Sequence, residues 1–400
     1  MNAGPSSRKI RVCHVQSVPL LAGAQRVMVD VLKHLDSRRF ERHAVCGSPG
    51  AMTEVLEADG VQCHFVPMLQ RSIHPIRDCQ AFRHLRALFR AQAFDVVHTH
   101  SSKPGVLGRL AARSAGIPAI VHHVHGFSFH DQTPTPLRVL GMLAERFAGK
   151  CCDRVVFVSD EERRSSVRAS ILSEEKCRTI YNGVDLRQFA PSRTSRAEDS
   201  LRRELGISAD ETMILFACRF APQKQPLIVP EIAKRLQAQL PGAAWRIVMA
   251  GTGPLEAALR EEIERCGVAA RVQISRWCDA PEKLMQAADI VLHPTLWEGL
   301  PLTLIEAQAT GLPVVASDVK GNREVVADAT GVLCGPHDAN AYAAALCRYL
   351  QMPTLGRVAG TAGRRNAEQH FDAAVNYGRF AGLYEELLDI SGVPAVLRAA

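Results

Sequence analysis

Two pairs of charged residues carry the chemistry that this sequence could do. Glu298 and Glu306 stand eight positions apart around the turn Glu298-Gly299-Leu300-Pro301, which opens a short helix and leads into a buried strand. Pro301 at the first helical position and Gly311 just past the last suit a helix start and stop. Glu298 therefore falls in the loop before the helix and Glu306 on its second turn. The N–H groups of Leu300, Leu302 and Thr303 lie at the helix start, where backbone dipoles favour an anion. The segment offers a phosphate cradle with a carboxylate on either side, which suits a sugar nucleotide.

The second pair is cationic. Arg219 and Lys224 stand at and just after the end of a strand, in Phe216-Ala217-Cys218-Arg219-Phe220-Ala221-Pro222-Gln223-Lys224. A departing diphosphate gains charge in the transition state, and a fixed Arg and Lys stabilise it where a metal otherwise would. The chain contains no Asp-x-Asp motif, so the metal route lacks its usual ligands, and neither metal nor other cofactor is expected. Two glycine sites suit close approach of backbone to a ligand: Gly23 at a loop-to-helix junction, and Gly251 in Gly251-Thr252-Gly253-Pro254 after a strand. Histidines cluster at two other strand ends, His98 and His100, then His122, His123 and His125. Imidazole is a common metal ligand, but no Cys or acid lies beside these at ligand spacing, so the set is read as hydrogen-bonded rather than metal-binding.

The acidic segment closely resembles the E-x7-E signature of family 4 glycosyltransferases. The likeness extends over Glu298-Gly299-Leu300-Pro301, Glu306-Ala307, Gly311-Leu312-Pro313-Val314-Val315 and Gly321 to Glu324, all in the family's order. It implies a retaining, nucleotide-sugar-dependent enzyme of GT-B fold, with a UDP-sugar as the donor that family frequency favours. On this basis Arg219 and Lys224 would hold the donor diphosphate, helped by the helix start near Leu302 and by Gly23. Glu306 would hold the ribose hydroxyls, while Glu298 and His125, the latter in a His-Gly element, would orient the sugar. Arg276 and Trp277 stand where relatives carry a Leu-Gly-aromatic run beside the base. Cys218 and Gln225 replace two glycines of the family's cation loop, and Ala22 and Gln25 replace a Gly and a Glu beside Gly23. The stretch HTHSSKPGVLGRLAA with HGFSFH is similar to members that build exopolysaccharide, capsule or lipid-linked oligosaccharide. It suggests a lipid-linked or saccharide acceptor, with Lys103 and His100 as candidate acceptor contacts, although Lys103 could equally be a solvated surface lysine. Retention is expected by front-face attack, the departing phosphate taking the acceptor proton. Two alternatives remain open: a GT-B UDP-GlcNAc epimerase or hydrolase, and a non-catalytic sugar-nucleotide-binding subunit. No Gly-x-Gly-x-x-Gly follows the first strand, which disfavours a dinucleotide oxidoreductase.

Alternating strands and helices must position these residues, the pattern of parallel sheets covered on both faces. At 400 residues the chain exceeds what one core usually holds. The expected architecture is α/β: two Rossmann-like domains facing a central cleft. They are placed at 1–190 and 201–375, with a polar linker at 191–200 and a C-terminal helix at 376–400 able to pack back on the first. Expected strands begin near Ile10, His43, Gln62, Val96, Ala119, Arg154 and Thr179 in the first half. In the second they begin near Met213, Trp245, Val272, Ile290 and Pro313.

Charge is unevenly divided. Residues 1–190 carry 26 Lys and Arg against 17 Asp and Glu, a net of 26 − 17 = +9, whereas 191–400 carry 22 against 24, a net of −2. An anionic partner for the first half alone follows. Nucleic acid lacks a recognition motif and stacking aromatics, so an anionic membrane surface is the better expectation. The basic, amphipathic stretch Ala81–Phe94 is the candidate contact, with a sheet-covering helix as its plainer reading. Scattered cysteines without a Cys-x-x-Cys, no signal-like apolar run and no stretch of about 18 apolar residues lead us to expect a cytoplasmic protein, peripheral on the inner membrane face if it meets the membrane.

Overall fold

The computed structural model describes residues 8–127, 129, 133–192, 195–276 and 280–388. The chain divides into two compact units, 1–182 with 373–400, and 183–372.

The first unit is a parallel sheet of β1 (Ile10–Val15), β2 (Phe40–Cys46), β3 (Gln62–Phe65), β4 (Val96–His100), β5 (Ala119–Val124), β6 (Arg154–Phe157) and β7 (Cys177–Thr179) in the order β3-β2-β1-β4-β5-β6-β7. Helices α1 (Gly23–His34), α2 (Ala51–Ala58), α3 (Pro75–Gln92), α4 (Ser102–Ala115), α5 (Thr135–Gly149) and α6 (Asp160–Arg168) connect the strands. The second unit repeats the plan. Its strands are β8 (Thr212–Ala217), β9 (Trp245–Ala250), β10 (Val272–Ser275), β11 (Ile290–His293), β12 (Val314–Ser317) and β13 (Gly331–Cys334), in the order β10-β9-β8-β11-β12-β13. Its helices are α7 (Ser195–Glu204), α8 (Val229–Gln239), α9 (Glu256–Arg265), α10 (Pro281–Ala287), α11 (Leu302–Ala309), α12 (Lys320–Val325), α13 (Ala339–Gln351) and α14 (Pro353–His370). In both units the strand order reverses beside the first strand, between β1 and β4 and between β8 and β11. Ligands of open α/β sheets bind at such a reversal, beyond the carboxyl ends of the strands.

Several boundaries differ from the sequence expectations for local reasons. The first unit ends at Asn182 rather than 190, because Val184 pairs with Asp372 and its N–H donates to Phe371 O over 2.9 Å. The segment expected as linker runs into helix α7 from Ser195. Strand β13 had no expected counterpart; its four residues, Gly-Val-Leu-Cys, make too short an apolar run to be read from period alone. The last helix, α15 (Ala373–Leu387), belongs to the first unit, where Tyr377, Phe380 and Tyr384 are fully buried.

Helix α3 contains the basic, amphipathic stretch, and its apolar face is not available to a membrane. Ala81, Leu85 and Phe89 are sealed in the first unit's core, while Arg83 and Arg90 are exposed. It covers the sheet, as such a helix ordinarily does. Among the described residues, no helix is long and apolar enough to cross a membrane.

Strands β4 and β5 are buried at every position, as strands covered on both faces should be. Their polar side chains therefore need partners. Thr99 Oγ1 and His122 Nδ1 share a hydrogen bond of 2.9 Å on the α4 side. A Cβ at Gly105 would meet His122 Cε1 at 2.4 Å, so glycine lets α4 close over that ring. Beside it, the fully buried Arg109 pairs with Glu145 at 2.7 Å and donates from Nε to Gly105 O. Removing one partner of a sealed ion pair leaves an uncompensated charge, at a cost of about 3–5 kcal/mol. Glu145→Ala should therefore lower the urea midpoint of the first unit by that equivalent, whereas the double change Arg109→Met with Glu145→Leu should cost much less. Equal losses in the single and double variants would show that the pair's charge is not what is being measured.

Candidate active site

In the second unit the loops leaving β8 and β11 meet at the strand-order reversal. Gln223 joins them: its O accepts from Leu296 N at 2.8 Å and from Thr295 Oγ1 at 3.0 Å, while its Nε2 donates to Trp297 O at 2.8 Å. This zipper brings Lys224 to Glu298, and the two form an ion pair. Glu298 Oε1 also accepts from His293 Nε2 at 3.1 Å, and Thr295 Oγ1, whose one proton is shared with Gln223 O, lies 3.1 Å from it. On its other side His293 Nδ1 contacts Cys218 Sγ at 3.3 Å.

Burial alone would raise the Glu298 carboxyl, but the charge of Lys224 and the bond from His293 outweigh it and bring the group down to about 2. Burial would lower His293, yet Cys218 and Glu298 raise it to about 9. Lys224 is likewise raised, burial being overcome by Glu298. The cluster thus gathers the Lys224 ammonium and the His293 ring around one carboxylate, with the exposed Arg219 nearby in sequence. Arg219 lies two residues beyond the end of β8 rather than at it, since the strand stops at Ala217.

The remaining donor candidates frame this cluster. Helix α11 begins at Leu302, with Pro301 as its cap rather than its first turn, and Gly311 follows with φ +80. Thr303 Oγ1 donates to Ala217 O at 3.4 Å, tying the helix start to the end of β8. Leu300 is buried and Leu302 is partly covered. Glu306 is buried on the same helix. Gly299 matters through its backbone: a Cβ on Gly321 would meet Gly299 O at 2.3 Å, so α12 seats directly on the Glu298-Gly299 turn. Gly251 has a similar reason, since a Cβ there would meet Cys218 O at 2.1 Å. Gln225 stands where the resemblance implies glycine and itself adopts a left-handed backbone, φ +42, at a local cost of about 1 kcal/mol. Arg276 is exposed just after β10; Trp277 lies outside the described residues.

In the first unit Gly23 begins α1 with φ +41, and nothing lies within 4 Å of where its Cβ would stand. Sheet register explains the histidines. His14 is opposite His98, and His100 opposite His123. Because side chains alternate, His14, His98, His100, His123 and His125 share the face that α15 covers. A hydrogen-bonded chain runs through them: His125 Nε2 to His100 Nδ1 at 2.9 Å, His100 Nε2 to His14 Nδ1 at 2.9 Å, His14 Nε2 to Tyr384 OH at 3.1 Å, and Tyr384 OH to His98 Nδ1 at 2.6 Å. Burial pushes His14 and His125 down to about 3 and His98, His100 and His123 well below their usual range, so all are neutral. Two overlapping sets, His14 with His98 and His100, and His100 with His123 and His125, keep ring nitrogens within 4.8 Å. Most of these nitrogens are hydrogen-bonded to one another or to Tyr384.

The structure removes two acceptor candidates from open surface. His100 is sealed with both ring nitrogens engaged. Lys103 is neither solvated nor unpaired: it forms an ion pair with Asp78 at 2.5 Å and donates to Ser72 O. Sequence reasoning missed His293, Thr295, His14 and Tyr384. For His293 a signal existed, a histidine closing a strand five residues before Glu298.

Stability should follow the two shifted groups. Glu298 contributes above the ordinary carboxylate range and loses that contribution as pH falls from 4.5 toward 2. His293 contributes below 6.5 and loses it as pH rises toward 9. The second unit should therefore be most stable between these windows and weaken from pH 6.5 to 9. In Glu298→Gln both slopes should shrink, and the His293 imidazole, followed by NMR, should titrate at lower pH than in the wild type. An unchanged titration would remove the carboxylate from this account.

Comparison with known proteins accords with this geometry. Residues 197–366 match the family described as glycosyl transferases group 1, and residues 21–188 match glycosyltransferase family 4. The UDP-Gal:alpha-D-GlcNAc-diphosphoundecaprenol alpha-1,3-galactosyltransferase of Escherichia coli is 35% identical over 85% of this chain and 88% of its own. A D-inositol 3-phosphate glycosyltransferase of Thermobifida fusca is 32% identical over 71% and 69%. Among solved structures, Anabaena HepE in complex with UDP and glucose superposes with a TM-score of 0.80 at 19% identity, covering 94% of this chain and 99% of that one. WaaG, a glycosyltransferase involved in lipopolysaccharide biosynthesis, gives 0.75 at 16% identity over 96% and 100%. These two share the GT-B fold with this chain, and the sequence relatives fix its family: the chain belongs to family 4 of the glycosyltransferases.

Proposed function

We propose that this glycosyltransferase moves a hexose from a UDP-sugar, with retention and without a metal, to a hydroxyl of a lipid-diphosphate-linked saccharide. The observation that carries the reading is the Lys224–Glu298–His293 cluster beside the α11 start, which fixes a lysine ammonium where a donor diphosphate would lie. Lys224 and Arg219 would neutralise the leaving diphosphate, with the α11 N–H groups adding to them. Glu306 would accept from the ribose hydroxyls. Glu298 then has a role beyond the sugar: it holds Lys224 in place, and with Lys224 and His293 both on one oxygen it is engaged as an ion-pair partner rather than offered as a nucleophile. That supports front-face attack, in which the acceptor oxygen bonds to the anomeric carbon as the phosphate oxygen departs and takes the acceptor proton. UDP-galactose is the donor to try first, since the Escherichia coli relative is named for it.

A lipid-linked acceptor calls for a membrane-facing surface, and α5 supplies one where α3 does not. Leu137, Leu140, Leu143 and Phe147 recur at helical spacing on α5, each more than half exposed. The helix's one acid, Glu145, is turned inward against Arg109, leaving exposed Arg146 and Lys150 beside the apolar stripe. An apolar face flanked by cations in a unit of positive charge suits an anionic bilayer.

Three measurements test this. Lys224→Ala should lower turnover of UDP-galactose by about 10²-fold, while EDTA should leave it within about twofold. UDP at ~100 times its dissociation constant should stabilise the protein by about 2.7 kcal/mol, an effect lost in Glu306→Ala. Near-normal turnover in the lysine variant would sink the diphosphate assignment. The paired change Leu140→Ser with Phe147→Ser should weaken sedimentation with phosphatidylglycerol vesicles by about 10-fold or more, with little effect on UDP binding. Equal sedimentation of both proteins would mean that the membrane contact, if there is one, lies elsewhere.

A further inference from the structure

Where β11 ends, the sheet stops fixing the chain and a side-chain hydroxyl takes over. The parallel ladder between β11 and β12 runs as far as His293, opposite Ala316. Pro294 follows and has no N–H to donate, so the ladder cannot continue through it. The next N–H, that of Thr295, donates instead to Ser317 Oγ at the end of β12, over 2.5 Å. Ser317 Oγ in turn shares a hydrogen bond of 2.7 Å with Tyr342 OH from α13. Thr295, Ser317 and Tyr342 are fully buried, and a bond lost in such a place leaves its partner unsatisfied.

Ser317 also reaches the Glu298 turn by a second route. Its carbonyl accepts from Asn322 Nδ2 at 2.8 Å and from Val319 N at 3.0 Å, which fixes the start of α12. Gly321 of that helix lies so close to the turn that a Cβ on it would meet Gly299 O at 2.3 Å and Glu298 O at 3.0 Å. One residue thus holds the chain on its way into Glu298 and the helix start packed on the Glu298 backbone.

We infer that the Ser317 hydroxyl, backed by Tyr342, is a positioning group for sugar transfer: it sets the course of the chain from β11 to Glu298, and thereby the place at which Glu298 holds Lys224. Glu298 comes three residues after Thr295, so a shift at Thr295 is passed on with little chain to absorb it. The same shift would pull on Gln223, the residue before Lys224, through its bonds to Leu296 N and Trp297 O. Burial pushes the Tyr342 phenol up, so it stays protonated and available to Ser317 at neutral pH. The consequence for turnover rests on the reading that Lys224 meets the donor diphosphate. A charge partner displaced by about 1 Å can cost up to about 10²-fold in rate, although the displacing change lies away from the reacting atoms.

The test uses the full-length enzyme and reads the loop and the turnover separately. Ser317→Ala leaves the Thr295 N–H without its acceptor, and kcat with UDP-galactose should fall about 10-fold while the shift in Tm on adding UDP stays that of the wild type. Followed by NMR, the His293 imidazole should titrate at lower pH in this variant, because Glu298 is held less closely to it. Ser317→Thr, which keeps the hydroxyl, should restore both readouts. Tyr342→Phe removes only the backing bond and leaves Thr295 its acceptor, so both effects should be smaller than in Ser317→Ala. A hydroxyl that serves packing alone predicts a lower Tm with kcat and the His293 titration unchanged. That result in Ser317→Ala, or in Tyr342→Phe should the alanine variant not fold, would overturn the proposal. So would a loss in Ser317→Ala that Ser317→Thr does not repair. Failure of the diphosphate reading is seen separately, as a wild type that UDP does not stabilise, and leaves the His293 titration still able to report on the loop.

Discussion

A parallel sheet covered by helices on both faces leaves its strands nowhere to place a polar side chain except at their carboxyl ends. That constraint governs both units. Where the strand order reverses, the connecting helices diverge and the ends of two neighbouring strands are left open together. The first unit fills that place with His14 from β1 and His98 and His100 from β4; the second fills it with Cys218 after β8 and His293 closing β11. Each polar group there is tied into a network because its surroundings are otherwise apolar, and burial without a partner would cost more than a surface position ever does.

The two networks resolve that problem in opposite ways. In the second unit charge is retained. Glu298 is the shared counterion of Lys224 and His293, and its carboxylate is in turn held ionised by them. Glu298 lowers the cost of keeping Lys224 inside, and a diphosphate entering the site would take over part of that work. In the first unit charge is expelled. Five imidazoles with no carboxylate among their hydrogen-bond partners cannot share a cation cheaply, so burial holds them neutral and the only remaining freedom is which nitrogen carries the proton.

Much of this was legible in the sequence, because the cues were local. The Glu298 turn, the α11 start and stop, and the cation loop are each set by neighbours within a few residues, and the strand alternation that stacks the histidines is visible in His98-x-His100 and His123-x-His125. What could not be read depended on distance or on exceptions to residue preference. His14 and Tyr384 are 370 positions apart in sequence, and no local pattern connects them. Gln225 adopts a left-handed backbone that its type disfavours, and nothing in its residue type announces it. Lys103 looked like a free cation only because its partner, Asp78, comes from the helix before it.

The membrane question shows the same limit in a sharper form. Helices α3 and α5 both carry apolar residues at helical spacing with basic residues beside them, and on that evidence alone α3, with more arginine, is the stronger candidate. Amphipathic character, however, only says that one face wants to leave water. It does not say whether the sheet or something outside the protein receives it. For α3 the sheet takes Leu85 and Phe89. For α5 the face turned to the protein is occupied by Glu145, Ala148 and Gly149, with the buried Arg109 pair fixing the helix's rotation. The large side chains are thereby forced outward, so an interior ion pair decides which face of α5 is exposed.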